Sequence, residues 1–310
     1  MGESVFLQDL NLTQGFLFIC VLFVTAFWGS GAIQLYFYYE NTAKSDRWWI
    51  KLGVALIWLL DTAHEVIVAH LVYTIFVKNF SNISYLNHYG TEAAAVILLN
   101  AFIDLIVQIM YVMRIWHISQ KNKWMSGIAA VLTLVQFSTT TVYFARTAAF
   151  TTFTDLQSES ILKIELMVNI VLLITDTYIS GVLVYLLLRN REELGKMNSL
   201  IKSLVFYFIG TGLVIDLVSL TALLTGLLMP KTFVIVGLLM IYPKLYTNSV
   251  LVLLNSRDRR RKNLDNEFSA LPETNLTFGN SQLDSPSSME TRSMKSGAND
   301  LISRSIDRGA

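Results

Sequence analysis

The chain is predicted to be all-α, a polytopic membrane protein built as a seven-transmembrane-helix bundle, with its N-terminus outside and its C-terminus cytoplasmic. Three observations predict this. Seven long apolar stretches fill residues 15 to 254 of 310. The composition is 53% hydrophobic against 15% charged, with a mean hydropathy of +0.49. The basic residues gather in alternate connections between the stretches.

A helix needs roughly 20 apolar residues to cross about 30 Å of hydrocarbon, and each stretch reaches that length. The first, 15–39, is too long for a cleaved signal and lacks a basic leader, so it is expected to be retained. Met1-Gly2 is followed by Phe6 where a myristoylation motif has Ser or Thr, so no lipid anchor is implied. The second and third spans, 50–77 and 93–116, carry most of the ionisable residues at bilayer depth. The fourth, 124–145, follows after a short connection, and the fifth, 166–188, after the longer segment 146–165. The sixth, 204–228, and seventh, 232–254, are almost contiguous. Short connections make consecutive helices antiparallel neighbours. No internal repeat is visible, which weighs against an inverted-repeat transporter. The organisation is therefore an outside segment 1–14, a helical domain 15–255 and a cytoplasmic tail 256–310. The tail is rich in Ser, Asn, Asp and Gly without apolar period, so disorder is expected there.

Orientation comes from charge. One set of connections holds Lys44, Arg47 and Lys51; Arg114, Lys121 and Lys123; Arg189, Arg191, Lys196 and Lys202; and a cluster Arg257, Arg259, Arg260, Arg261 and Lys262. The other set holds Lys78, Arg146, Lys163 and Lys231. The positive-inside rule places the first set in the cytoplasm, and an odd helix number agrees. The terminal cluster is expected to set topology and to lie against anionic lipid headgroups. Phosphorylation of Ser281, Ser285, Ser287 or Ser288 could alter docking of a cytoplasmic partner at the inner loops and tail. The triplets starting at Asn11, Asn79 and Asn82 are glycosylation candidates on the outer side, whereas that at Asn275 falls in the tail.

Cys20 is the single cysteine, so neither an intramolecular disulfide nor a thiolate metal cluster is available. Close helix packing is expected instead at Gly29-Ser30-Gly31, at Gly210 and Gly212, and at Gly237.

Charge at bilayer depth is costly and points to function by default. Asp61, His64 and Glu65 share a face of the second helix, and Asn100, Asp104, Gln108 and Tyr111 make a stripe on the third. The fifth helix adds Asn169, Asp176 and Ser180, the sixth Asp216 with Ser219, and the seventh Lys244, Asn248 and Asn255 after Pro243. At about 1.5 Å per residue, Asp61, Asp104, Asp176, Asp216 and Lys244 fall within about two turns of the midplane. One reading is interhelical glue, with Asp paired to Lys244 and His64. The other is a polar cavity that takes a small ligand or ion, because five acidic groups face only two potential cations.

Sharper chemistry fits poorly. An intramembrane zinc enzyme needs histidines converging from several helices, but His64 and His70 share one. A retinal protein uses a seventh-helix lysine, yet Lys244 directly follows a proline and Met240 stands one turn before it. Rhodopsin-like receptors carry Asp-Arg-Tyr where Met113-Arg114-Ile115 stands here.

From Asp176 to Arg257 the chain resembles a group of fungal seven-helix membrane proteins known as domain of unknown function 6534. The matching residues are Asp176-Thr177-Tyr178-Ile179-Ser180, Tyr207 with Thr211-Gly212-Leu213, and above all Lys244-Leu245-Tyr246-Thr247-Asn248-Ser249 with Leu254-Asn255-Ser256-Arg257. Asp61 and His64, and Arg114-Ile115-Trp116, look similar too, whereas Asp216 departs from the pattern. The resemblance implies the seven-helix fold, a fungal source and a recurring set of Asp176, Lys244, Asn248 and Asn255. It implies no activity.

The expectation is an integral multi-pass protein of plasma membrane or endomembrane, receptor-like or sensing, with a polar midplane site. A proton or small-solute transporter is the alternative, and an intramembrane metal-dependent enzyme the third. The lipid bilayer and a small ligand or ion are the expected partners; no nucleic acid, metal or cofactor is expected.

Overall fold

The computed structural model describes residues 14–80, 82, 85, 91–150, 152, 155, 158–189, 198–229 and 234–269, with the backbone alone at 45, 198–211, 213 and 257–269. The described residues form seven long helices: α1 (Phe16–Phe37), α2 (Trp48–Tyr73), α3 (Thr91–Ile118), α4 (Lys123–Thr147), α5 (Glu159–Arg189), α6 (Asn198–Leu228) and α7 (Val234–Ser269). A π-turn at Tyr38–Thr42 and a 3-10 turn at Ala43–Ser45 lead α1 toward α2, and a second π-turn at Thr74–Lys78 ends α2. The described residues up to Asn266 belong to one compact unit. Of the remainder the structure describes only the helix end to Ser269.

Three boundaries differ from the apolar reading. α5 starts at Glu159 rather than 166, α6 at Asn198 rather than 204, and α7 runs to Ser269, well past 255. The apolar pattern measures the hydrocarbon, whereas a helix that satisfies its own backbone groups continues into polar sequence. The tail expected from 256 thus begins as helix, and 270–310 lie outside the described residues. The side chains of Arg257, Arg259, Arg260, Arg261 and Lys262 also lie outside them. Asn11 does so entirely, while Asn79 is a helix C-cap and Asn82 is exposed.

Six described helices are long and apolar enough to cross a membrane, and in α6 the described apolar run is Val214–Leu228. Large apolar side chains face outward on several helices, among them Phe23 on α1, Leu59 on α2 and Leu134 on α4. A surface of that kind requires an apolar solvent. The chain is therefore an integral multi-pass membrane protein.

Neighbours in sequence pack side by side from α1 to α6, and α3 also meets α5. α7 differs in kind. Of its apolar window 67% is buried, against 22% for α1 and for α4, which makes it the central helix. Gly237 lets it approach α1: a Cβ there would meet Cys20 Sγ at 2.7 Å. At Gly212 of α6 a Cβ would meet Ser180 Oγ of α5 at 2.9 Å, and at Gly31 of α1 it would meet the Trp58 ring of α2 at 3.1 Å, whereas Gly29 faces open space and the surroundings of Gly210 lie outside the described residues.

Pro243 sits inside α7. Without an N–H, it cannot donate to the carbonyl four residues back, which belongs to Leu239. Asn100 Nδ2 of α3 donates to that Leu239 carbonyl at 3.0 Å. A neighbouring helix thus satisfies the acceptor that proline frees. Asn100→Leu should destabilise the protein by about 1–3 kcal/mol, the cost of an orphaned buried acceptor. In a Pro243→Ala background, where residue 243 can donate again, the same change should cost much less. Unfolding titrations of the four proteins of this cycle in detergent micelles measure the difference.

Candidate functional site

The polar residues of the interior do not form one cluster but several separate contacts, most of them made with α7. Residues 244 and 246 are about 200° apart on a helix of 3.6 residues per turn, so they face opposite sides.

On one side lies a charge cluster with α2. The Lys244 ammonium reaches Asp61 Oδ1 at 3.1 Å, Glu65 Oε2 at 3.2 Å and the Asp61 carbonyl at 2.8 Å. The Asp61 carbonyl accepts a hydrogen bond from the ammonium, and the two carboxylate oxygens make ion-pair contacts with it. Both Lys244 and Asp61 are almost wholly buried, while Glu65 is 12% exposed. Glu65 Oε1 accepts from Thr25 of α1 at 2.8 Å, so α1 joins the cluster. His64 is fully buried beside it, and neither ring nitrogen has a hydrogen-bond partner. The pairing of Asp61 is with the lysine; the histidine takes no part.

On the other side α7 meets α3 and α5, and α4 joins through α3. The Tyr246 hydroxyl donates to Asp176 Oδ2. Gln108 Nε2 lies 2.8 Å from Gln136 Oε1 and 3.5 Å from Asp176 Oδ1. Asp104 is buried close by, with Oδ1 lacking a partner, as does Gln136 Nε2. Both of these residues line a narrow crevice between α3 and α4, with Ala101 and Thr140. Tyr111 donates to Ser249 at 2.8 Å further along α7. The α3 stripe thus faces the interior throughout.

Asn248 belongs to neither cluster. Its amide donates to the carbonyls of Phe27 at 2.9 Å and Lys244 at 2.8 Å, and its oxygen accepts from Gln34 Nε2 at 2.8 Å. Asn255 donates to the Gln34 carbonyl at 2.8 Å. Both stitch α7 to α1. Asp216 is half-buried on the α5–α6 seam, where Thr177 donates to it at 3.3 Å. Asn169, one of the α5 residues grouped with Asp176, instead lines a cavity with Glu165 near the start of α5.

Several contributors escaped the sequence reading. Tyr246 stands two residues after Lys244, so a search of the lysine face passes over it. Gln136 lies alone among threonines, and Gln34 in a helix without charge. Glu165 precedes the apolar run by one residue, but its i, i+4 relation to Asn169 was there to be seen. Among the described residues no three or more His, Cys, Asp and Glu converge at metal-binding distance.

This fold and its buried polar contacts define a polytopic α-helical membrane protein. Residues 172–259, from the middle of α5 into the polar end of α7, match the model of a family of unknown function, DUF6534. That segment brackets the residues on which the resemblance rested and includes Asp176, Lys244, Tyr246 and Asn248. No curated protein and no solved structure matches the chain.

The charge cluster has a measurable worth. Lys244→Met leaves two carboxylates buried without a cation and should destabilise the protein by about 3–5 kcal/mol. Adding Asp61→Asn and Glu65→Gln should recover most of that loss, because no unbalanced charge then remains. Thermal unfolding in nanodiscs compares the single and triple variants; equal destabilisation of both would show that packing, not charge, dominates.

Proposed function

We propose that the protein is a receptor-like sensing bundle in which α7 is the moving element. The observation that carries this reading is the placement of exchangeable polar contacts on both sides of one central helix. Lys244 ties α7 to α2, Tyr246 ties it to α5, and Pro243 interrupts its hydrogen-bond ladder just before both. Apolar packing alone would hold a helix against one surface. Polar contacts on opposite faces can be traded one for another, which gives a bundle two arrangements of similar energy. His64 and Asp104 offer unoccupied polar atoms beside the two clusters, where a shifted partner can bond.

One observation favours the alternative, a proton or small-solute transporter. Asp104 and Asp176 share the α3–α5 interior, and no lysine, arginine or histidine pairs with either among the described residues. A pair of carboxylates of this kind suits proton relay.

The test uses a reporter on α7. In a Cys20→Ala background, Ser256→Cys is labelled with a maleimide in nanodiscs, with Lys244 intact or with the charge-free triple variant. Release of the clamp should change the labelling rate several-fold while the fold is kept. An unchanged rate would mean that the cluster is static glue and the sensing reading is wrong. Acidification of proteoliposomes, lost in Asp104→Asn and Asp176→Asn, would instead support transport.

A further inference from the structure

A cavity of about 240 Å³ lies among α5, α6 and α7, away from both polar clusters. Its walls are apolar, formed by Leu166, Leu223, Leu227 and Ile235 among others. Two polar residues of α5 face it, Glu165 and Asn169. Asn169 donates to the Glu165 carbonyl at 3.0 Å, which secures the amide one turn along from the carboxylate. Glu159 and Lys163 also line the cavity, but they pair with each other at 2.6 Å and are largely exposed. Lys163 is therefore engaged elsewhere. The Glu165 carboxylate has no ion pair or hydrogen bond among the described residues; Lys231, in the α6–α7 connection, lies outside them.

We propose that this cavity binds a small organic monocation: an ammonium group on a compact hydrocarbon body, with Glu165 as its counter-charge and Asn169 as a polar neighbour. Glu165 is half-buried, and a carboxylate set against leucine walls is better matched by a cation than by hydrocarbon alone. The leucine and isoleucine walls gain from covering hydrocarbon, at about 25 cal/mol per Å². A volume near 240 Å³ lies below the usual range for drug-sized ligands. A divalent metal would want more oxygen ligands than one carboxylate and one amide supply. An anion would be repelled.

The cavity is formed by the start of α5, the end of α6 and the start of α7. The distribution of basic residues assigns that end of the bundle to the outer face. Ile235 precedes Lys244 by nine residues, about 13 Å along α7, so an occupant touches the helix that carries the clamp. Only this consequence rests on the sensing reading; binding itself does not.

The full chain in phosphatidylcholine nanodiscs is titrated with phenethylamine and with 2-phenylethanol, its neutral counterpart of similar shape, following the unfolding midpoint. The amine should stabilise at a concentration about tenfold lower than the alcohol, the difference expected for one charge-assisted contact. Glu165→Gln should abolish that advantage, and Gly226→Leu, which fills the cavity, should abolish both responses. Equal responses to amine and alcohol in the wild type overturn the proposal without recourse to any variant. So does an amine response that survives Glu165→Gln. No response to phenethylamine, with stabilisation when phosphatidylethanolamine replaces phosphatidylcholine, assigns the cavity to a lipid headgroup and also overturns it. Binding that leaves the Ser256→Cys reporter unmoved would sink the coupling to α7 and keep the site.

Discussion

A lysine with no exposed surface at the centre of an apolar bundle is the constraint around which this molecule is organised. An ammonium at that depth requires oxygen on every donor, so α2 must bring Asp61 and Glu65 to the same level of α7. Those carboxylates in turn draw in Thr25 and hence α1. The register of α1 against α2 follows: Trp28 stacks on Trp58 at 5.7 Å, and its indole N–H meets Thr62 at 3.3 Å. One charge therefore determines the relative height of three helices, which lipid-facing leucines could not do. Hydrocarbon contacts slide at little cost, while a buried ion pair does not.

The opposite face of α7 obeys a softer rule. Tyr246, Gln108, Gln136 and Asp176 form a network without a cation, and their neighbour Asp104 has an oxygen left over. Proline between the two faces loosens the backbone, and Asn100 repairs what proline breaks. The α2 side thus holds α7 by a buried ion pair, and the α5 side by a tyrosine–carboxylate hydrogen bond. The amide contacts of Asn248 and Asn255 with α1 lie on the Lys244 face and extend it over almost three turns.

Much of the fold was legible because the hydrocarbon thickness imposes a length on every span, so seven apolar runs gave seven helices. Their ends were less legible: Glu159 and Ser269 lie in polar sequence, where nothing in an apolar window shows that the helix continues. The one-face spacing of Asp61 and Glu65 and of the α3 stripe carried over into space, because i, i+4 geometry is local. Which residue met which did not. That Lys244 would choose Asp61 and Glu65 over Asp104 and Asp176 depends on how seven helices are arranged around a ring, and local periodicity does not encode it. The same ignorance of arrangement merged Asn169 with Asp176, although they serve a cavity and a network on different parts of α5.

The centrality of α7 bears on how such a protein is made. Among the seven described helices it leaves the ribosome after the other six, and its apolar stretch has the lowest mean hydropathy of the six long described spans, 1.4 against as much as 2.2. A lysine in mid-span penalises entry into lipid by about 2.5–3.5 kcal/mol. The carboxylates that offset it are already in the membrane on α2 when α7 arrives. Until then the earlier helices enclose an unfinished interior, with Asp61, Glu65 and Asp176 awaiting their partners. The chain order thus makes the least hydrophobic of these six spans the keystone, inserted by its predecessors as much as by the bilayer.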